Sequence, residues 1–539
     1  MIETRSSNMH ARKRQAKLLA TLTLSLFITA SFWMFSRFTV DDAFIAWRYG
    51  QNLAHHGVWN YNPVMFDVTQ AYTTPLYALI STIPNLLHID VVLFFKMLSI
   101  FLLLFFGYLF YLLFSRSHMM LLILCALPAT FIHLFSGIET LLFVALVALL
   151  FIYLYEECLS RSSFIAAVLF LTRPESWPLV ILVPAYFAAI SISRRRHAYE
   201  FSQQPATKHN SAKGLILSCI GLIAVLSALL IFNKLYFGYT LPNTFYVKSA
   251  RGFSVTSFVY FSFWLVPLLL LLTERKVLLF CVAAAFFMPV VISYSTSSLQ
   301  MNYVDRFGYH VFAPVYLLGV FIASRHSHSY LYVSRHSSFQ TCMKLRVRTV
   351  LNAGLLCYLL LYATKTTVTS ELLHMTNYYS RALDSHAALG RLFSKMAHEP
   401  AHSIDTFCFG DAGMTAYHSG LVALDNAGLG SSLVATQSIE AALEAYSPEV
   451  LVFHSRPDGI RLNNYNQQAV YTWARRKKMS FVGEVFWRPD YTLRIYSAYD
   501  MREAFAGLCR ASKAQNDLGD RQYLLRKGWL VPPWVFWHE

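Results

Sequence analysis

The chain has 539 residues, of which 56% are hydrophobic and only 14% charged. Soluble domains are about 45–50% apolar and about 25% charged, so an ordinary water-soluble globule is excluded and a polytopic membrane protein is expected. The net charge of +16 does not point to nucleic acid. The cations fall at the N-terminus (Arg12, Lys13, Arg14, Lys17), in Arg194-Arg-Arg196 and between Arg325 and Arg348, short stretches between apolar segments where Lys and Arg mark the cytoplasmic side and meet anionic lipid.

A bilayer-spanning helix needs about 20 apolar residues. The first candidate, 17–35, has the basic flank of a signal peptide but lacks a small-x-small cleavage site, so it reads as a retained anchor. Further candidates follow at 76–89, 91–114, 119–135, 139–155, 164–192, 214–237, 255–272, 277–294, 309–323 and 347–363. The expected fold is therefore a polytopic α-helical membrane domain over 1–363, with about eleven transmembrane helices. With the N-terminus inside, helix parity places the basic stretches 194–213, 274–276 and 325–348 on the cytoplasmic side. The loop 37–75, Leu241-Pro-Asn-Thr-Phe-Tyr-Val-Lys248 and Asn302-Tyr-Val-Asp-Arg-Phe307 then lie outside, as do Arg116 and Arg161, against the charge rule. His326, His328 and His336 fall in the basic inner loop and read as solvated side chains rather than a metal site.

After residue 363 the apolar runs stop. Residues 364–539 read as a soluble α/β domain emerging on the outer side. Ile404-Asp-Thr-Phe-Cys-Phe-Gly-Asp-Ala-Gly413 looks like a strand entering a Gly-rich turn, and 449–454 and 491–496 like further strands; 436–446 and 467–478 have helical composition. The eight cysteines show no CxxC spacing. Cys408 and Cys509 could pair if their domain is extracytoplasmic, which spacing alone does not establish.

Chemistry concentrates at Asp41-Asp42. Two adjacent carboxylates directly after a membrane anchor are costly unless used or paired. One of them could act as a general base toward an attacking hydroxyl, or the two could hold a divalent cation (Mg, Mn or Ca). They open an aromatic, Asn-rich loop that ends in Tyr72-Thr-Thr-Pro-Leu-Tyr77. Candidate cations for a phosphate are Arg173, beside Glu175 inside an apolar segment, Lys248 in an outer loop, and Arg306 just before a helix. Each has a plainer reading as an internal ion pair or solvated loop residue. No phosphate-cradling Gly loop of a standard type is present. Since nucleotide sugars stay in the cytoplasm, a carboxylate site on the outer face draws on a lipid-linked donor or a ready-made polymer.

Asp41-Asp-Ala-Phe-Ile-Ala-Trp-Arg-Tyr-Gly-Gln-Asn-Leu53, Tyr61-Asn-Pro63 and Tyr72-Thr-Thr-Pro-Leu-Tyr77 resemble the opening of polytopic C-fold (GT-C) glycosyltransferases that use polyprenyl-phosphate sugars. Within that class the chain is most similar to the mycobacterial terminal arabinofuranosyltransferases and their bacterial relatives. Gly137-Ile-Glu-Thr140, Leu171-Thr-Arg-Pro-Glu175, the 241–248 stretch and Gly410-Asp-Ala-Gly413 extend the likeness over nearly the whole chain. The resemblance implies inverting transfer of a sugar, such as arabinofuranose, from a polyprenyl-phosphate donor to an envelope glycan or glycolipid at the outer face of the bacterial cytoplasmic membrane. It implies Asp41, ahead of Asp42, as general base, with Arg48, Tyr49, Asn62, Tyr72, Arg173, Glu175, Lys248 and Arg306 contacting substrate. The chain departs from the family at 64–71, where Asp67 and Gln70 stand near its acidic positions and sugar contact is expected. A transferase for mannose, glucose or galactose on the same scaffold, or a flippase for lipid-linked sugars, are the alternatives; the flippase lacks the internal repeats such transporters show.

Overall fold

The structure, a computed structural model, describes residues 38–114, 123–200, 212–248, 252–297, 302–325, 338–368, 380–399 and 403–513, apart from 126, 412, 457, 458, 464, 489 and 490, together with 22, 25, 26, 29 and 32. It is mostly helical, with a mixed α/β sheet region at its C-terminal end. Five helices among the described residues are long and apolar enough to cross a membrane, and seven spans result if each of two bent pairs counts as one. The expected eleven is therefore not what these residues show, and the reasons are local. The 76–89 stretch folds as two short helices, Pro75–Ile80 and Thr82–Leu86. Ala129–Phe135 and Thr140–Tyr155, from the next two stretches, are the two arms of a pair bent by 114°. The 164–192 stretch breaks at Arg173. The anchor at 17–35 and the inner loop around His326, His328 and His336 lie largely outside the described residues.

Two helices form the axis of the membrane body. Thr140–Tyr155 is apolar around its whole circumference, and Arg306–Arg325 is buried along nearly its full length. A helix without a polar face is enclosed either by other helices or by lipid, and these two pack against each other at the centre. By contrast Ala212–Phe237 buries only Leu222, Asn233 and Phe237, as befits a helix with one side toward lipid.

The C-terminal sheet has β1 (Thr406–Cys408), β2 (Val422–Leu424), β3 (Val450–Arg456), β4 (Gly459–Ile460), β5 (Ser480–Arg488) and β6 (Tyr491–Ser497), in the order β2-β1-β3-β6-β5 with β4 on β3. The β2-β1-β3 half is parallel and the β3-β6-β5 half antiparallel. One sheet face is covered by Ile439–Tyr446 and Gln467–Arg476. The apolar core on the other face is continuous with Ile45, Tyr49, Tyr61, Ala71 and Tyr72. The loop after the acidic pair thus packs into the sheet domain as well as into the membrane body, although the sequence had grouped it with the membrane body alone. Cys408 and Cys509 are separate free thiols.

Candidate active site

The Asp41–His56 helix begins at the acidic pair, so both carboxylates occupy its first turn, where the helix dipole favours negative charge. From there they diverge. Asp41 is drawn away by the sheet domain: its Oδ2 accepts the Gly413 N–H at 2.9 Å and its Oδ1 the Met414 N–H at 2.7 Å. Asp42 lines a cavity of about 750 Å³ that lies between the start of this helix, the membrane body and Leu429 of the C-terminal domain.

The polar wall of this cavity is a line of four charges. Arg173 forms a two-pronged pair with Glu175, Nη2 to Oε1 at 2.6 Å and Nε to Oε2 at 3.1 Å, while its Nη1 reaches Glu139 Oε1 at 2.7 Å. Arg306 Nη2 stands 3.7 Å from the same Glu139 oxygen. Local sequence puts each in place. Pro174 bars its predecessor from helical backbone, so Arg173 is extended (φ −154°, ψ 141°), the helix ends at Thr172, and the guanidinium turns into the cavity. Gly137 has φ +83°, and a Cβ there would lie 2.7 Å from the Trp47 ring, so only glycine fits the turn that delivers Glu139. Before Arg306, Val304 and Asp305 are both left-handed (φ 46° and 55°), a strained conformation for a β-branched residue. It is held by Asp305, which takes the Tyr260 hydroxyl and pairs with Lys365 at 3.3 Å, while Tyr362 donates to its carbonyl at 3.2 Å. Tyr72, Tyr77, Phe245, Tyr294 and Phe307 form much of the remaining wall.

Of the residues singled out from sequence, Asp42, Tyr72, Arg173, Glu175 and Arg306 share this cavity. Asp41 does not line it. Arg48, Tyr49 and Asn62 do not line it either. Arg48 is fully buried and donates to the carbonyls of Tyr61 and Leu421, both at 2.5 Å, to that of Ala416, and to Asn62 Oδ1 at 3.3 Å. Asn62 also accepts the Ala423 N–H at 2.9 Å, and the Tyr49 hydroxyl bridges Thr69 and Ala71 within the loop. Asp67, expected near the sugar, is taken up by Ser431, Ser432, Leu433 and Tyr446. Lys248 ends the Asn243–Lys248 helix, and its side chain lies outside the described residues. Both Asp41 oxygens accept backbone amides, and among the described residues no group of three or more His, Cys, Asp or Glu could hold a metal ion.

Two useful residues went unread in sequence. Glu139 was quoted within Gly137-Ile-Glu-Thr140 but given no role, although a carboxylate just before a wholly apolar helix is costly unless paired. Asn243 ties the outer loop to the sheet domain: its N–H donates to Gln70 O at 2.9 Å and its amide to Gly428 O at 2.6 Å.

No family model matches the chain, and comparison with curated proteins gives no match. The fold defines a multi-pass helical membrane protein carrying a C-terminal mixed sheet. Among solved structures it is similar to ArnT from Cupriavidus metallidurans in the apo state, with a TM-score of 0.51 and 12% identity over 90% of this chain and 99% of that one. The same ArnT bound to undecaprenyl phosphate matches with a TM-score of 0.49 and 11% identity over 89% and 98% of the two chains. At these identities the likeness is one of fold alone.

Proposed function

We propose that the protein is an inverting membrane glycosyltransferase that moves a sugar from a polyprenyl-phosphate donor to an envelope glycan or glycolipid. The observation that carries this reading is that one cavity holds a free-standing carboxylate, Asp42, together with two arginines, Arg173 and Arg306. The fold likeness to ArnT agrees with it. In the reaction an acceptor hydroxyl attacks the anomeric carbon, Asp42 takes the hydroxyl proton, and the bond from that carbon to the phosphate oxygen breaks. The polyprenyl phosphate leaves with both electrons of that bond, and arginine neutralises the charge it gains.

The two arginines are not equal in this scheme. Arg173 is saturated by Glu139 and Glu175. Arg306 lies over the Tyr303 and Phe307 rings with a carboxylate no nearer than 3.7 Å, and among the described residues its Nε has no hydrogen-bond partner. Arg306 is therefore the main phosphate contact, with Arg173 holding Glu139 in place; Lys248 is a further candidate. Asp42, Glu139 and Glu175 outnumber the two arginines in the cavity by one charge, which favours a donor that brings its own apolar tail over a free, strongly hydrated phosphate. The sugar is an arabinofuranose or, on the same scaffold, a hexose. In this reading the membrane domain (1–363) has its N-terminus in the cytoplasm of a bacterial cell and the C-terminal domain (364–539) lies outside, an orientation that the positions of the basic stretches support.

Purified protein in proteoliposomes, given radiolabelled polyprenyl-phosphate arabinose, mannose, glucose or galactose in turn with envelope extract as acceptor, tests the reading. Label should pass from one donor to acceptor, and Asp42→Asn should abolish the transfer. Failure of every lipid donor, or transfer undiminished in Asp42→Asn, overturns it.

A further inference from the structure

The Gly410-Asp-Ala-Gly413 turn, singled out in the sequence, is not part of the cavity wall. It lies where the sheet domain touches the acidic pair. Gly413 meets Asp41 so closely that a Cβ there would sit 2.0 Å from the Asp41 carbonyl oxygen and 2.6 Å from its Oδ2. The nearest of these atoms, the Asp41 carbonyl oxygen, is backbone and has little room to give way. The turn itself is fixed from behind. Asp411 Oδ2 is 2.8 Å from His386 Nε2, on the helix Ser380–Met396, and its Oδ1 is 3.4 Å from His454 Nε2 on β3. Both imidazoles are buried. Burial alone would raise the Asp411 carboxyl, but His454 and His386 beside it hold it well below the usual carboxylate range, so it remains an anion anchoring the turn.

We propose, resting on the reading of Asp42 as general base, that this turn is a positioning device: the sheet domain, through Asp411 and the Gly413 and Met414 amides, grips Asp41 and thereby sets the aim of its neighbour Asp42 into the cavity. His386 and β3 hold the turn, the turn holds Asp41, and Asp41 fixes the first residue of the helix whose second residue faces substrate. Asp41 and Gly413 are positioning residues that touch no reacting atom. Displacement of a reacting group by about 1 Å costs on the order of 10²-fold in rate, so a loosened grip is felt in turnover before it is felt in donor binding.

The test uses the full chain in proteoliposomes, with Gly413→Ala, Asp41→Asn, their double variant, and Gly507→Ala as control, since a Cβ at 507 meets nothing within 4 Å. One readout is hydrogen exchange of the amides of residues 43–46, which needs no substrate. The other is transfer from polyprenyl-phosphate arabinofuranose, or from whichever of the four donors the wild type uses. Gly413→Ala and Asp41→Asn should each speed exchange at the helix start and lower kcat at least about tenfold, with the donor KM within about threefold of wild type. Because both act through one contact, the double variant should fall no more than about threefold below the worse single variant; Gly507→Ala should match wild type. If Gly413→Ala does not accumulate, Asp41→Asn carries both readouts. Wild-type kcat and exchange in Asp41→Asn, or fully multiplicative losses in the double variant, would overturn the inference while an inactive Asp42→Asn left the function standing. A fully active Asp42→Asn would instead remove the base and this inference with it.

Discussion

Arg48 and Arg306 are both buried arginines beside the same loop, yet they do different things. Arg48 lies in the seam between the loop and the sheet domain, and its guanidinium meets neutral acceptors, three backbone carbonyls and the Asn62 amide oxygen. Arg306 lies in the cavity wall with an unpartnered Nε and one carboxylate at 3.7 Å. Burial does not separate a holding residue from a working one; the completeness of its hydrogen-bond set does. The acidic pair repeats the contrast one residue apart. Asp41 has an amide on each oxygen, and Asp42 faces the cavity.

The largest effect expected from this contrast is at Asp42. Asp42→Asn should lower transfer by about 10²–10⁴-fold, the usual cost of losing a general base, with donor binding and melting temperature close to wild type. Turnover within tenfold of wild type would erase the distinction between the two carboxylates. Next comes the seam. Arg48→Met keeps length but leaves several buried carbonyls without donors, at about 1–3 kcal/mol for each unsatisfied group. The variant should lose on the order of 3 kcal/mol of stability, seen as a lower melting temperature or poor yield, while the folded fraction retains donor affinity. Unchanged stability would mean that burial with a complete bond set does not mark a structural residue here.

Arg306→Lys sharpens the comparison from the cavity side. Lysine keeps the charge but loses the planar fork that matches phosphate. It should cost about tenfold in kcat/KM for the lipid donor with little change in melting temperature. Arg173→Lys should show the reverse balance, since it breaks the two-pronged pair with Glu175 and frees Glu139. Equal kinetic losses at the two positions would show that both contact the phosphate.

How much of this was legible in the sequence follows from how local each cause is. The pre-proline break at Arg173 and the apolar circumference of Thr140–Tyr155 are written within a few residues, and so were readable. The parallel-to-antiparallel order of the sheet is not, because β1 pairs in parallel with both β2 and β3, and which strands become neighbours depends on tertiary contacts. The motif from Asp41 to Tyr72 was readable as important but not as divided in purpose. Arg48, Asn62 and Asp67 find their partners more than 350 positions away, at Ala416, Ala423 and Ser432, and nothing near them in sequence announces that. Glu139 could have been found by asking where a carboxylate before a wholly apolar helix would find its cation.

The smallest expected effect is a pH dependence, and it isolates Asp41. Burial, then the charges of Asp411 and Asp42, push its carboxyl up from 3.8 to about 6, against the pull of His386 and the Met414 amide. A carboxyl whose folded value is raised binds its proton more tightly in the folded state. Its contribution to stability is thus fully present below the unfolded value of 3.8 and is lost as pH rises through about 6. Above that, the buried anion costs up to roughly 3 kcal/mol, at about 1.4 kcal/mol for each pH unit between the two values. Asp41→Asn removes the charge and forfeits one amide acceptor, worth about 1 kcal/mol. At pH 7.5 the variant should therefore melt at or a degree or two above wild type, although it turns over more slowly. As pH falls from 7 to 4.5, wild type should gain on the variant, because only wild type takes up the extra proton in its folded state; subtracting the two curves removes His386, Asp42 and Asp411, which both proteins retain. Parallel melting curves across that range would mean that Asp41 carries no buried charge and that its grip on the turn is weaker than the geometry implies. A variant both less stable and less active at pH 7.5 would make Asp41 part of the scaffold, on the same footing as Arg48.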